Sequence, residues 1–126
     1  MNEIERAIYV FDEDRTTENL AHLENAILEG TLIVPVSQDA TELSPGHWDI
    51  PAICIRRPNG SGAMLAFTTL EQLFAWKREG SKYVELTGRT LIEMARGMHE
   101  VDEVAVNSFG VPQGSIRRSE FDRLLS

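Results

Sequence analysis

The sequence predicts an α/β domain of the α+β-like kind: an N-terminal helical hairpin, then a mixed sheet of about five to six strands with helices packed on it. Three observations lead there. Residues 1–30 place their apolar side chains at helical spacing. Residues 31–67 carry short β-branched runs broken by turn residues. From residue 63 to 107 strand-like and helix-like periods alternate, which argues for right-handed crossovers and parallel pairs.

Ile4, Ala7, Ile8 and Phe11 repeat as one helical face, and Asp12-Glu13-Asp14-Arg15 ends it. Thr16 or Thr17 caps a second helix that carries Leu20, Leu23, Ile27 and Leu28, with Gly30 as its C′ residue. Thr31 to Val36 reads as a strand. Pro35 lacks an N–H, which assigns that strand to a sheet edge or a bulge. Ala52 to Arg56 reads as a short strand buried on both faces. Asn59-Gly60-Ser61-Gly62 turns it into a hairpin with Ala63–Phe67.

The period then becomes helical. Thr68 and Glu71 fit a capping box ahead of a stripe of Leu70, Leu73, Phe74 and Lys77, with Trp76 beside it. Tyr83–Thr87 is a strand with Val84 and Leu86 on one face. Gly88-Arg89 opens a helix bearing Leu91, Met94, Ala95 and Met98. Val104–Val106 is the next strand. Gly110, Pro112 and Gly114 punctuate a loop that leads to a further short strand. Ser119 caps a last helix with Phe121, Leu124 and Leu125.

The totals bound the function. A chain of 126 residues makes one domain, residues 1–126, able to bury a self-supporting core. Twenty acids against 12 bases give a net charge of −8. That field repels phosphate backbones and anionic lipid, so neither nucleic acid nor membrane is an expected partner. The single cysteine, Cys54, cannot form an internal disulfide or a cysteine-rich zinc site. An acidic start without an apolar signal core, and no run near the ~20 apolar residues of a membrane helix, lead to a cytoplasmic expectation.

Catalytic constellations are missing from the pattern. His22, His47 and His99 are far apart and form no metal or triad spacing. Cys54 lies mid-strand in an apolar run, where a thiol acts as a small hydrophobe. The chain has no Gly-x-Gly-x-x-Gly, P-loop or Gly-x-Ser-x-Gly. The expectation is a protein that is not an enzyme, with no cofactor and no metal.

Two surfaces stand out. Residues 37–50 read as a long structureless loop holding Trp48 between His47 and Asp49. Such loops are uncommon in compact domains unless they function or are disordered. Trp48 either folds back onto the core or stands in solvent as a binding contact. Asp39, Glu42, His47 and Asp49 lack a specific metal spacing. The second surface is topological. If their strands run parallel, Thr68-Thr69, Gly88-Arg89 and Asn107-Ser108 meet at the carboxyl edge of the sheet. Helix N-termini and Arg89 would there suit a small anion. Ordinary capping and turn formation explain the same residues.

The series Leu32-Ile33-Val34-Pro35-Val36, then Leu65 to Glu71 with Trp76, continues through Val84-Glu85-Leu86-Thr87-Gly88-Arg89, Leu91 and Met94-Ala95. It closes with Val104-Ala105-Val106-Asn107 and Gly110 to Gly114. In order and spacing it resembles the N-terminal domain of the SseB family, bacterial proteins named for enhanced serine sensitivity. The resemblance spans residues 16–125. It implies a cytoplasmic bacterial protein without an established enzyme activity, and it supplies no catalytic residues. Longer members carry a second domain, which a chain ending at Ser126 is expected to lack.

The reading is therefore a non-enzymatic protein-binding or regulatory module with a protein partner, self-association included. Its binding contacts would be Trp48, His47 and Asp49. The alternative is a small-anion or metabolite sensor built on Thr68, Thr69, Arg89 and Asn107.

Overall fold

Asn2 starts the first helix by reciprocal capping. Its Oδ1 accepts from the Glu5 N–H at 2.9 Å, and its own N–H donates to Glu5 Oε1 at 3.3 Å. Helix α1 follows, Glu3–Glu13, and buries Ile4, Ala7 and Ile8. Thr16 caps α2 (Thr17–Glu29) by accepting from the Asn19 N–H at 3.1 Å. Gly30 ends α2 with φ −80°, outside the left-handed region expected of a C′ glycine. Its role is close approach: a Cβ there would stand 2.5 Å from the Ala26 carbonyl oxygen and 2.7 Å from Ile4 Cδ1.

These features belong to a computed structural model that describes residues 1–126. The remaining elements are β1 (Thr31–Pro35), β2 (Thr41–Ser44), β3 (His47–Asp49), β4 (Cys54–Arg56), β5 (Gly62–Ala66) and α3 (Leu70–Trp76). After them come β6 (Tyr83–Thr87), α4 (Gly88–Arg96), β7 (Glu103–Val106), β8 (Gly114–Arg117) and α5 (Arg118–Leu125). The α+β expectation holds, with the N-terminal helical hairpin as α1 and α2.

Strand β5 is the centre, buried along its whole length. It pairs parallel with β7, β7 pairs antiparallel with β8, and β4 pairs antiparallel with the first half of β5. Strand β1 pairs antiparallel with β6. The two ladders join where Ile33 and Phe67 exchange hydrogen bonds of 2.7 and 2.8 Å. Beyond that point Ile53 enters between them, donating to the Pro35 carbonyl and accepting from the Leu65 N–H. Six strands thus run β6–β1–β5–β7–β8, with β4 in the fork between β1 and β5.

This arrangement corrects three expectations. Only β5 and β7 pair in parallel; β6 runs the same way, but β1 lies between it and β5, antiparallel to both. Strand β1 is internal rather than an edge. Strand alternation points the missing N–H of Pro35 to the same side as the Ile33 N–H, into the fork, where Ile53 already gives its carbonyl to Leu65. Strand β4 is half-buried, with Arg56 exposed, because the fork covers its faces incompletely.

Alternation along the strands sorts the core into two layers. Leu32, Val34, Met64, Ala66, Val104 and Val106 face α1, α2, α4 and α5. Ile33, Leu65 and Phe67 face α3, which contributes Leu73. Trp76 stacks on Phe67 at 5.8 Å between ring centroids. The expected stripe on α3 is only half a core stripe, since Leu70 and Phe74 are exposed. Thr69, rather than Thr68, caps α3, accepting from the Gln72 N–H at 3.3 Å.

The end of α4 is closed from a distance. The Arg118 guanidinium donates to the carbonyls of Ala95 (2.8 Å), Arg96 (3.2 Å), Val101 (2.7 Å) and Met98. A cation there meets the negative pole of the helix and satisfies its orphan carbonyls. Arg117, rather than the expected Ser119, stands at the N-cap of α5, its N–H donating to Glu120 at 3.3 Å.

A lysine cannot reproduce the planar fork of Arg118. Arg118→Lys should destabilise the domain by about 2 kcal/mol in urea unfolding. Arg117→Lys, at an exposed side chain, should stay within about 0.5 kcal/mol of the parent.

Candidate functional site

The carboxyl edge does not assemble the expected anion site. Asn107 is fully buried and lies at φ 58°, a left-handed conformation that asparagine tolerates. Its Oδ1 accepts from the Thr68 N–H at 3.0 Å. Its Nδ2 donates to Thr68 Oγ1 and to the Pro112 carbonyl, both at 2.9 Å. Its backbone N–H and carbonyl are also paired, with Ala66 and Gly110. Thr68 is buried too, and its carbonyl accepts from Asn2 Nδ2 at 2.8 Å. Both side chains are buried within this network. Thr69 is used as the helix cap.

Arg89 does not join this pair. Strand β1 separates the end of β6 from the end of β5, and the Arg89 guanidinium pairs with Glu29 at 2.8 Å. Thr87 caps α4 by accepting from the Thr90 N–H at 3.2 Å. The acidic start of α1 lies over the same edge through Asn2. An anion would meet Glu3 and Glu29 in the cleft between α1 and α2.

The segment holding Trp48 takes a different form from the expected loop. Residues 37–50 are not structureless. They project a hairpin in which Thr41 pairs with Asp49 and Glu42 with Trp48. Pro45 and Gly46 make the turn, and Gly46 takes φ +80°, which a side chain would resist. Ser44 Oγ and His47 Nδ1 lie 3.0 Å apart across it. The base is tied to the body by the Ser37 N–H to the Pro51 carbonyl at 3.0 Å, and by Lys82 to Asp39 at 3.1 Å. All seven residues of β2 and β3 are exposed.

Trp48 is 54 % exposed on this hairpin and has not folded onto the core. It faces the side of α4 across a groove of about 550 Å³. Ile50, Leu86, Met94 and Met98 make the apolar lining, and Asp49 and Glu93 stand among it. His47 is exposed at the turn side of the hairpin. Asp39, Glu42, His47 and Asp49 do not gather as a metal-holding group of three.

A family model described as the SseB protein N-terminal domain matches residues 4–120. The chain belongs to the SseB family. No curated protein and no solved structure matches it.

Sequence reasoning about this SseB domain missed half of the groove. Met94 and Met98 read as core because they share a helical stripe with Leu91 and Ala95. Leu91 and Ala95 are buried, whereas the two methionines are half-buried and look onto the groove. Met94 lies on α4 and Met98 two residues past its end, so helical spacing alone did not place the second methionine. A second set of exposed apolar side chains, Leu70, Phe74, Phe109 and Val111, surrounds α3 and the following loop and was also unforeseen.

His22 and His99 are exposed on separate elements. Cys54 is half-buried; burial, and then the Glu100 carboxylate, push its thiol pKa above the ordinary range. It is held as the thiol, which is the weak nucleophile. No helix of the SseB domain is long and apolar enough to cross a membrane.

A structural Asn107 makes a specific prediction. Asn107→Ala removes three side-chain hydrogen bonds and places a Cβ residue without local polar compensation at positive φ. It should cost about 3 kcal/mol in urea unfolding. Asn107→Gly loses the same bonds but accepts the backbone angle, and should be milder by about 1 kcal/mol.

Proposed function

We propose that this SseB domain is a non-enzymatic protein-binding module whose contact surface is the groove between the Trp48 hairpin and α4. One observation carries the reading: Trp48 stands more than half exposed opposite two half-buried methionines. An exposed tryptophan over an apolar floor is the composition of an interface anchor. Indole buries a large area at little entropic cost, and methionine adapts its shape to what arrives. The groove holds two carboxylates and no nucleophile beside a base, so it suits recognition more than bond-breaking.

The hairpin supports the same reading. Its strands bury nothing, so its conformation adds no core to the domain. It does hold Trp48 out from the body, on the wall of the groove opposite α4. A cytoplasmic location is consistent with the proposed role.

Trp48→Glu and Met94→Glu act on opposite walls of the groove. Each should reduce binding of a captured partner at least thirtyfold, roughly a 2 kcal/mol hot spot. Phe74→Ser, on the α3 side, should leave it unchanged. Circular dichroism on the same samples confirms the fold. Equal partner recovery by both groove variants would remove the groove from the proposal.

A further inference from the structure

The charges around the groove restrict what can enter it. Asp49 and Glu93 are its ionisable lining side chains, and both are acidic. Glu42 lies opposite Trp48 in the hairpin ladder and is exposed. Basic side chains on the flanking elements are already matched. Lys82 pairs with Asp39 at 3.1 Å, Arg89 with Glu29 at 2.8 Å, and Arg96 with Asp122 at 3.6 Å. Asp49 and Glu93 have no such partner among the ion pairs of the domain. The net charge of −8 adds a field of the same sign.

One polar cleft elsewhere is closed on itself. At the opposite end of the sheet Glu103 takes Arg57 and Ser115, each at 2.5 Å, and Asp102 takes the Gly62 N–H at 2.8 Å. That cluster is satisfied internally. The groove joins an apolar floor to carboxylates that no ion pair of the domain uses.

An acidic or anionic ligand would be repelled there, and a purely apolar one would leave two carboxylates desolvated without a partner. A cation beside an apolar side chain satisfies both. The Trp48 ring adds an aromatic face for a Lys or Arg to cover. Helix α4 is nine residues long, about 13 Å, which matches two to three turns of a helix laid along it.

Building on the protein-binding reading, we propose that the groove takes a basic amphipathic segment of a partner protein. An apolar side chain of that segment seats on Leu86, Met94 and Met98 beneath Trp48. A Lys or Arg of the same segment meets Asp49 and Glu93.

Three synthetic helix-forming peptides of about fourteen residues test this. One carries leucine and lysine on opposite faces, one leucine and glutamate, and one serine and lysine. Binding is followed by NMR of the methionine methyl groups and tryptophan indoles, with isothermal titration for affinity. The leucine/lysine peptide should shift Trp48, Met94 and Met98 and leave the buried Met64 unmoved. Its affinity should fall as salt rises from about 50 mM to about 200 mM. The double variant Asp49→Asn/Glu93→Gln should weaken it about tenfold.

Equal binding of the leucine/glutamate peptide in the groove would overturn the basic partner and leave the groove standing. Equal binding of the serine/lysine peptide would reduce the effect to unspecific charge and overturn the proposal. Failure of the leucine/lysine peptide to shift all three side chains would overturn it as well. If Trp48→Glu and Met94→Glu also leave partner capture intact, the groove itself falls.

Discussion

Asn107 is the constraint on which the arrangement of this domain turns. It ends β7 in a left-handed conformation, and its amide side chain closes three gaps at once. It satisfies the Thr68 N–H and hydroxyl where β5 gives way to α3. It also holds the Pro112 carbonyl, which fixes the path from β7 back to β8. The only parallel pair in the sheet is thus clamped at its carboxyl end by a buried, fully used amide. Such a network stabilises only when complete, since each unpaired group in that position would cost about 1–3 kcal/mol. The geometry that makes it complete also buries both side chains. A carboxyl edge that serves many open sheets as a binding crevice is here part of the core.

That displacement decides where recognition can occur. With the strand ends sealed by Asn107 and overlaid by Asn2, the open apolar surface lies on the flank of α4 and around α3. Helix α4 has two unlike sides. Leu91, Ile92 and Ala95 seal the helical layer, while Met94 looks onto the groove, joined there by the half-buried Met98 just past the helix end. Arg118 then holds the end of α4 through four carbonyls, so the outward side rests on a rigid element. A groove with one fixed wall and one projecting hairpin is well placed to adapt on one side only.

Much of the fold was legible because it follows from local physics. Thr16 and Thr87 announced their helices by capping, and Asn59-Gly60 announced the β4–β5 hairpin. The α1–α2 hairpin was legible from Ile4, Ala7, Ile8 and Ile27 at helical spacing. Strand partnership was not. Nothing in Tyr83–Thr87 says that it pairs with Thr31–Pro35 rather than beside β5, because alternation assigns Val84 and Leu86 to one face and names no neighbouring strand. That single ambiguity moved Arg89 away from Thr68 and Asn107 and dissolved the expected anion site. The β2–β3 hairpin escaped notice for another reason. Period-2 alternation signals a strand only when one face is buried, and neither face of this hairpin is. Residue 48 was found by type alone, while its counterparts on and just past α4 were hidden within a stripe that also feeds the core.

The same distribution of burial explains why acidity has a local meaning here. Over the whole surface a charge of −8 mainly repels like-charged partners. Several of the basic side chains that could offset it are held in specific pairs, Arg57 with Glu103, Arg123 with Glu24 and Arg89 with Glu29. These pairs lie between elements and fix packing: Arg123 joins α5 to α2, and Arg89 joins α4 to α2. Other carboxylates are left over after that matching. Asp49 and Glu93 are two of these, and they flank an apolar floor. Both are exposed and hydrated in the free domain, so a cost arises only if something covers them without supplying a cation. The domain thus separates its charges into those that hold α2, α4 and α5 together and those that remain available around Trp48.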